Sequence, residues 1–209
     1  MTHTLFAFPF SCAQAPHALL HHYDVPHEII WVHRGPTRRA VGDGLEAASK
    51  KRKVPTLVLP DGRVLTENVA VLTWLDDTCG PDRDAWTRQR ALEWNVFVAT
   101  ELHQAILGPL YDPELEPADQ TAPAERFLTH TLARLADGLR DTPFLTGETP
   151  CGADLYAAWA LSLVGFRYRD HLADPALRAF LGRMLELPGL ARAREIEGAR
   201  RQEEARASA

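Results

Sequence analysis

The chain of 209 residues has only three cysteines, Cys12, Cys79 and Cys151, an odd number set far apart. That count excludes a disulfide framework and a cysteine metal knot. It suits a reducing compartment in which a thiol stays a thiol, so a cytoplasmic location is expected. Long apolar runs are missing too. No stretch nears the roughly 18 residues that a membrane-spanning helix needs, and no membrane partner is expected. The opening MTHTLFAFPF has neither a basic start nor a small-residue cleavage site, and does not read as a signal peptide. Positive charge is in deficit, with 23 Lys and Arg against 28 Asp and Glu, which argues against nucleic acid as a partner. The nine histidines include His21 and His22, but no pair is seen with His, Asp or Glu partners at a convincing ligand spacing. No metal is expected.

What is present is a globular composition, 45% hydrophobic and 24% charged, long enough for one large domain or two small ones. THTLFAF and HEIIWV read as strands, and AQAPHALLHHYD between them as a short helix. KVPTLVL, the turn pair Asp61-Gly62 and RVL read as a β-hairpin. TENVAVLTWLDD follows as a helix, with Thr66 expected as its N-cap. The order is β-α-β, an irregular segment, then β-β-α. CGPDRD, residues 79–84, reads as a linker. Beyond it Leu92, Val96, Ala99, His103 and Ile106 fall on one helix face, and Leu128, Leu132, Leu135 and Leu139 repeat the pattern. A further apolar helix is expected from about Gly152 to Phe166, and DPALRAFLGRML supplies another. The charged, Ala-rich tail after Gly198 is expected to fray. The division is therefore an α/β domain over residues 1–78, a linker over 79–84 and an all-helical domain over 85–209.

Several residues could carry chemistry. Cys12 sits where a strand gives way to a helix. The unpaired N–H groups and partial positive charge of a first helical turn favour an anion, which offers this thiol a route to a lowered pKa and a reactive thiolate. A small buried hydrophobe is the competing reading. The position three residues on is Ala15, so Cys12 lacks the second cysteine of a dithiol motif. His103, in line with apolar residues, is either a hydrogen-bonded core histidine or a donor or base acting on a ligand or thiolate. Pro55 at a strand start leaves the Val54 backbone for something other than a sheet partner. Glu67 and Asn68 at a helix start can hold an amino-acid zwitterion, the carboxylate on helix N–H groups and Asn68, the ammonium on Glu67; ordinary capping is the alternative. SKKRKV, residues 49–54, is a basic run that leads straight into a strand, and reads as a cationic rim rather than an import signal.

Four segments, in order, resemble the cytosolic glutathione transferases, and most closely the bacterial beta class. VPTLVLPDGRVLTENVAVLTWL is similar to that family's Val-Pro, hairpin and helix motif. SCAQAPHALL resembles the beta-class cysteine segment, and ATELHQAILGPLYDP the helix that carries its active-site histidine. CGADLYAAWAL resembles the C-terminal capping box, with Asp154 in place. The resemblance implies a thioredoxin-like N-terminal domain, an all-α C-terminal domain, a homodimer and bound glutathione. It implies Cys12 facing the glutathione sulfur, Val54 before a cis Pro55 pairing with the cysteinyl part, Glu67 and Asn68 holding the γ-glutamyl end, and His103 reaching toward the thiol. This chain departs from the pattern at four places. Trp31 stands where the class has lysine, Ser49-Lys50-Lys51-Arg52 replaces Asn-Pro-x-Gly, Ala13 replaces serine, and Cys151 replaces the capping Ser or Thr. Lys51 or Lys53 is a candidate for the missing cation.

The expected function is a glutathione transferase-like enzyme that activates the glutathione thiol for attack on a small hydrophobic electrophile, or for thiol–disulfide exchange through one cysteine. Each pKa unit of thiolate stabilisation is worth about 1.4 kcal/mol. The expected electrophile pocket draws on Trp94, Phe97, Leu107, Tyr111 and Phe166. The alternative is a non-catalytic protein of the same fold, acting in ligand binding or protein interaction.

Overall fold

The structure is a computed structural model that describes residues 2–35, 39–109 and 121–207, the side chains of residues 121–124 excepted. Its contacts divide the chain into two compact units, Met1–Asp82 with Glu186–Ala209, and Arg83–Leu185. No helix of the described residues is long and apolar enough to cross a membrane.

The first unit is built on a four-stranded mixed sheet. β1 (His3–Ala7) is nearly continuously buried, as a central strand must be, and lies between β2 (His27–Trp31) and β5 (Thr56–Val58). It runs parallel to β2, with Leu5 opposite Ile29, and antiparallel to β5, with Leu5 opposite Leu57. Helix α1 (Gln14–His22) makes the crossover that the parallel pair requires. The irregular segment after β2 holds a small antiparallel pair, β3 (His33–Arg34) with β4 (Ala40–Val41), and one helical turn, α2 (Leu45–Ala48). Phe6, Val32, Ala40 and Leu45 form a buried cluster beneath this segment. β5 returns through the Asp61-Gly62 turn as β6 (Val64–Thr66), Gly62 taking φ +86°, a value glycine adopts without steric cost. Helix α3 (Asn68–Thr78) then packs Val71, Leu72 and Leu75 into the core. The expected N-cap is corrected: Thr66 stays in the ladder opposite Thr56, so Glu67 takes the capping position with φ +74° and no capping side-chain bond.

The second unit is helical. Asp84 caps α4 (Ala85–Phe97), its carboxylate accepting from Trp86 N and Thr87 N at 2.8 and 3.0 Å. A π-helical turn, Val98–Leu102, joins α4 to α5 (His103–Leu107). The expected stripe is displaced here. Trp94, Val98, Leu102 and Ile106 are buried, whereas Val96 is 42% exposed and His103 half-buried. The large Trp94 ring takes the core position, and the π turn inserts a residue that shifts the frame of the face. The Leu128, Leu132, Leu135 and Leu139 stripe is buried as expected, along and just past α6 (Thr121–Gly138). Apolar α7 (Gly152–Arg167) and α8 (Pro175–Leu185) complete the unit. At the start of α7 the Asp154 carboxylate accepts from Cys151 N at 2.9 Å, from its thiol at 3.2 Å and from Leu145 N at 2.8 Å. A thiol therefore fills the hydroxyl position of a capping box.

The tail does not fray. α9 (Pro188–Ala207) is helical throughout and packs on α1 within the first unit. Its exposed face carries Arg192–Glu195 and Arg200–Glu204 pairs at helical spacing. Its inward face is Leu190, Ala193 and Glu197. A carboxylate at the centre of that face hides it from a search for apolar periodicity.

Candidate functional site

The chain leaves β1 through a turn at Phe10, which has φ +59°. The turn is anchored by Phe10 N donating to Glu197 of α9 at 2.7 Å. This places Cys12 two residues ahead of α1. Its thiol donates to the Val54 carbonyl at 3.5 Å, a weak bond proper to sulfur. Val54 in turn precedes Pro55 through a cis peptide bond. From the other side Asn68, first residue of α3, donates its amide nitrogen to the Cys12 carbonyl at 2.9 Å. Three distant segments thus meet at one cysteine. Asn68 is buried, and among the described residues its side-chain oxygen has no hydrogen-bond partner. A ligand N–H is the kind of group that oxygen lacks.

Glu67 sits beside this junction on the exposed side. Its backbone, at φ +74° and ψ +128°, lies in a region costly for a residue with a side chain, roughly 1–3 kcal/mol, of the sort that collects at functional sites. Lys51 meets the Glu67 carboxylate at 2.8 Å and the Thr66 hydroxyl at 3.4 Å. Of the two candidate cations, Lys51 therefore pairs with Glu67. Lys53 remains exposed and offers its carbonyl to Thr56 at 2.8 Å. Arg52 between them has φ +49° at the position where the resembling motif has glycine, and its carbonyl accepts from Ala40 N at 2.7 Å.

Of the two readings of Cys12, the lowered pKa is not the one that its surroundings support. Burial pushes the thiol up to about 12, because the thiolate loses more solvation than nearby groups restore. The backbone N–H groups of Cys12 and Ala13 and the Lys53 charge pull the other way; Glu67 adds to the rise. The sulfur is therefore protonated at neutral pH.

His103 belongs to the second unit. Its Nδ1 lies 2.6 Å from the Tyr156 hydroxyl, and its ring meets Trp159 edge-on at 4.8 Å between centroids. Burial lowers its pKa to about 4, so the ring is neutral at pH 7. Tyr156 and Trp159 were not singled out in the sequence. The contact spans 53 residues, and no local spacing announces it. Among the expected electrophile contacts, Trp94 is instead a core residue of its unit. Arg134 and Arg90 guanidinium groups lie over its ring, at 4.8 and 5.7 Å, and Gly138 packs so closely that an added Cβ would meet the ring at 2.3 Å. Phe97 and Leu107 are half-buried, Phe166 is 83% exposed, and Tyr111 lies outside the described residues.

Comparisons with known proteins bear on the same segments. A model of the family "Glutathione S-transferase, N-terminal domain" matches residues 10–78. Glutathione S-transferase GstA of Escherichia coli O157:H7 is 30% identical over 205 residues, covering 93% of this chain and 98% of that protein. A sphingomonad glutathione S-transferase, solved as a complex with glutathione, superposes with a TM-score of 0.82 at 29% identity, covering 93% of this chain and 98% of its own. The bacterial beta-class glutathione S-transferase of Sphingomonas chungbukensis gives the same score and coverage at 28% identity.

Proposed function

The chain belongs to the glutathione S-transferase family, and from that premise we propose that Cys12, Val54, Pro55, Glu67 and Asn68 form its glutathione site. It is a glutathione transferase-like enzyme with glutathione as co-substrate. The observation that carries the site assignment is the convergence of Cys12, Val54 and the under-satisfied Asn68. In this reading the backbone of Val54 pairs with the cysteinyl amide of glutathione. The α3 N-terminus takes the γ-glutamyl carboxylate, with the Asn68 oxygen accepting an N–H. Glu67 holds the ammonium on the carboxylate oxygen that Lys51 leaves open, and Lys51 and Lys53 supply the positive rim.

Cys12 acts as a donor. A thiol held protonated can donate a hydrogen bond to the sulfur of bound glutathione, keeping its own proton, and so favour that sulfur's thiolate, which then attacks a small hydrophobic electrophile. Thiol–disulfide exchange is the second reading, and the lone cysteine supports it. A Cys12 thiolate would attack a glutathione mixed disulfide, take the glutathionyl sulfur and expel the partner thiolate. A second glutathione thiolate would then release Cys12 and leave as glutathione disulfide. The raised thiol pKa sets conjugation ahead of exchange. His103 is assigned a catalytic role as a neutral donor or acceptor. A His103→Ala protein with unchanged kinetics and an unchanged Cys12 pKa would return it to packing alone. The enzyme acts as a cytoplasmic homodimer.

The test compares Cys12→Ala with Cys12→Ser in the pH profile of kcat/KM for an aryl halide. Donor loss in Cys12→Ala raises the apparent pKa of the bound thiol, and Cys12→Ser largely restores it. A profile that neither change moves would remove Cys12 from the reaction. Failure of the folded chain to bind glutathione by calorimetry would favour the non-catalytic alternative.

A further inference from the structure

Away from Cys12, three imidazoles converge on the opposite part of α1. His17 and His21 stand four residues apart, and so on one face of the helix. His27 opens β2. One ring nitrogen from each lies within 4.8 Å of the other two. The rings meet obliquely or edge-on, at 4.5 Å for His21 with His27, 5.0 Å for His17 with His21 and 5.9 Å for His17 with His27. Trp31 closes one side, edge-on to His17.

The outer hydrogen bonds decide which nitrogens face inward. His27 Nδ1 lies 2.7 Å from the Val25 carbonyl, which only accepts, so Nδ1 carries the hydrogen and Nε2 the lone pair. His17 Nδ1 lies 2.9 Å from a Glu197 carboxylate oxygen, and Glu197 is 0% exposed. The same Glu197 accepts from Gln14 and from Phe10 N, both at 2.7 Å, so it is a fixed acceptor. Carboxylate and carbonyl partners on the far nitrogen are the arrangement that orients metal-binding imidazoles. Among the described residues the Nε2 atoms of His17 and His21 are buried with no hydrogen-bond partner. A buried nitrogen left without a partner is costly, and a metal ion would satisfy it.

The geometry points to a divalent transition-metal site formed by His17, His21 and His27, with Glu197 and Val25 as its outer partners. Three imidazole nitrogens in a His-x3-His-x5-His order suit Zn²⁺ and the neighbouring Co²⁺, Ni²⁺ and Cu²⁺. Metal–nitrogen bonds of about 2.0–2.1 Å in a tetrahedron place the nitrogens about 3.4 Å apart, so small ring rotations close the present cluster. Such an ion would tie α1 to β2 and through Glu197 to α9, bracing the helix whose start carries Cys12. It does not depend on the glutathione assignment.

The probe is Co²⁺ added to the untagged, full-length chain without glutathione, read by visible d–d absorption and by calorimetry, with Zn²⁺ as competitor. One Co²⁺ per chain with an intense tetrahedral spectrum, displaced by Zn²⁺, is expected. His21→Ala and His27→Gln should each weaken binding by at least about tenfold. Cys79→Ser, a thiol outside the cluster, should leave it unchanged. Zn²⁺ should also raise the melting temperature of the parent and not of the two histidine variants. No stoichiometric binding, or binding that survives both histidine changes in folded protein, overturns the site.

Discussion

A single thiol shows how competing local effects are ranked. The position of Cys12 ahead of α1 is readable from FPFSCAQAPHALL, but its chemistry is not. A helix terminus contributes on the order of 1 kcal/mol to a nearby charge, whereas removing a thiolate from water costs several pKa units when the site is closed. The closing residues, Val54 and Asn68, are 42 and 56 positions away, so the sequence around Cys12 shows the small effect and hides the large one. With a pKa of about 12, Cys12 in the free enzyme should alkylate with iodoacetamide at pH 8 at least about a hundredfold more slowly than in urea-unfolded chain. Peptide mass spectrometry would follow the rates, with half-buried Cys79 as the internal comparison. Equal rates would show that the thiol is not held protonated. His103 gives a second measurement. Its folded pKa of about 4 lies below the usual 6.5, so the unfolded chain binds the proton first and stability falls as pH drops from about 6.5 toward 4. At pH 5 the loss from this group is roughly 2 kcal/mol. Urea denaturation of His103→Gln at pH 7.5 and pH 5 should show a pH-dependent loss smaller by about that amount. An identical loss in both proteins would place the ring in water.

Elements were legible where burial follows apolar periodicity. The four leucines around α6 are of that kind, and the Asp61-Gly62 hairpin was legible from its turn pair. Elements were misread where the inward face is not apolar or where the helical frame slips. The π turn at Val98–Leu102 moved the buried stripe from Val96 and His103 to Val98 and Leu102. In α9 the residue at the centre of the inward face is Glu197, which binds three donors from the β1–α1 turn and from α1 itself. Removing one member of a buried polar set strands the others, at a cost of about 3–5 kcal/mol for charged groups. Glu197→Ala should therefore destabilise the chain by about 3 kcal/mol in urea, with Glu197→Gln recovering part of it. A change below about 1 kcal/mol would mean that α9 is held by Leu190 and Ala193 alone. The same carboxylate fixes the Phe10 turn, so the variant should also lose glutathione affinity without touching the ligand.

For the whole molecule, the order of strands and helices along the chain and the succession of α/β and helical segments were readable, because each depends on local signals along the chain. The return of α9 to α1 was not, since a contact across some 180 residues leaves no mark in either segment alone. The candidate glutathione residues Lys51, Val54, Glu67, Asn68 and Cys12 all fall in Met1–Asp82, and His103 in Arg83–Leu185. That distribution makes a test at the scale of the units. A ligand that binds only the folded state adds about 2.7 kcal/mol at a hundred times its Kd, and hydrogen exchange reports where that free energy is felt. Glutathione at that excess should slow exchange most in residues 52–58 and 66–71 and in the first turn of α1. It should slow exchange much less in α6 and α8 of the helical unit. Slowing that spreads evenly over both units would mean that binding stabilises the chain only through global unfolding and would leave the site unlocated. Slowing centred on α4 to α7 would move the glutathione site away from Cys12 altogether, and the donor role argued for that thiol would go with it.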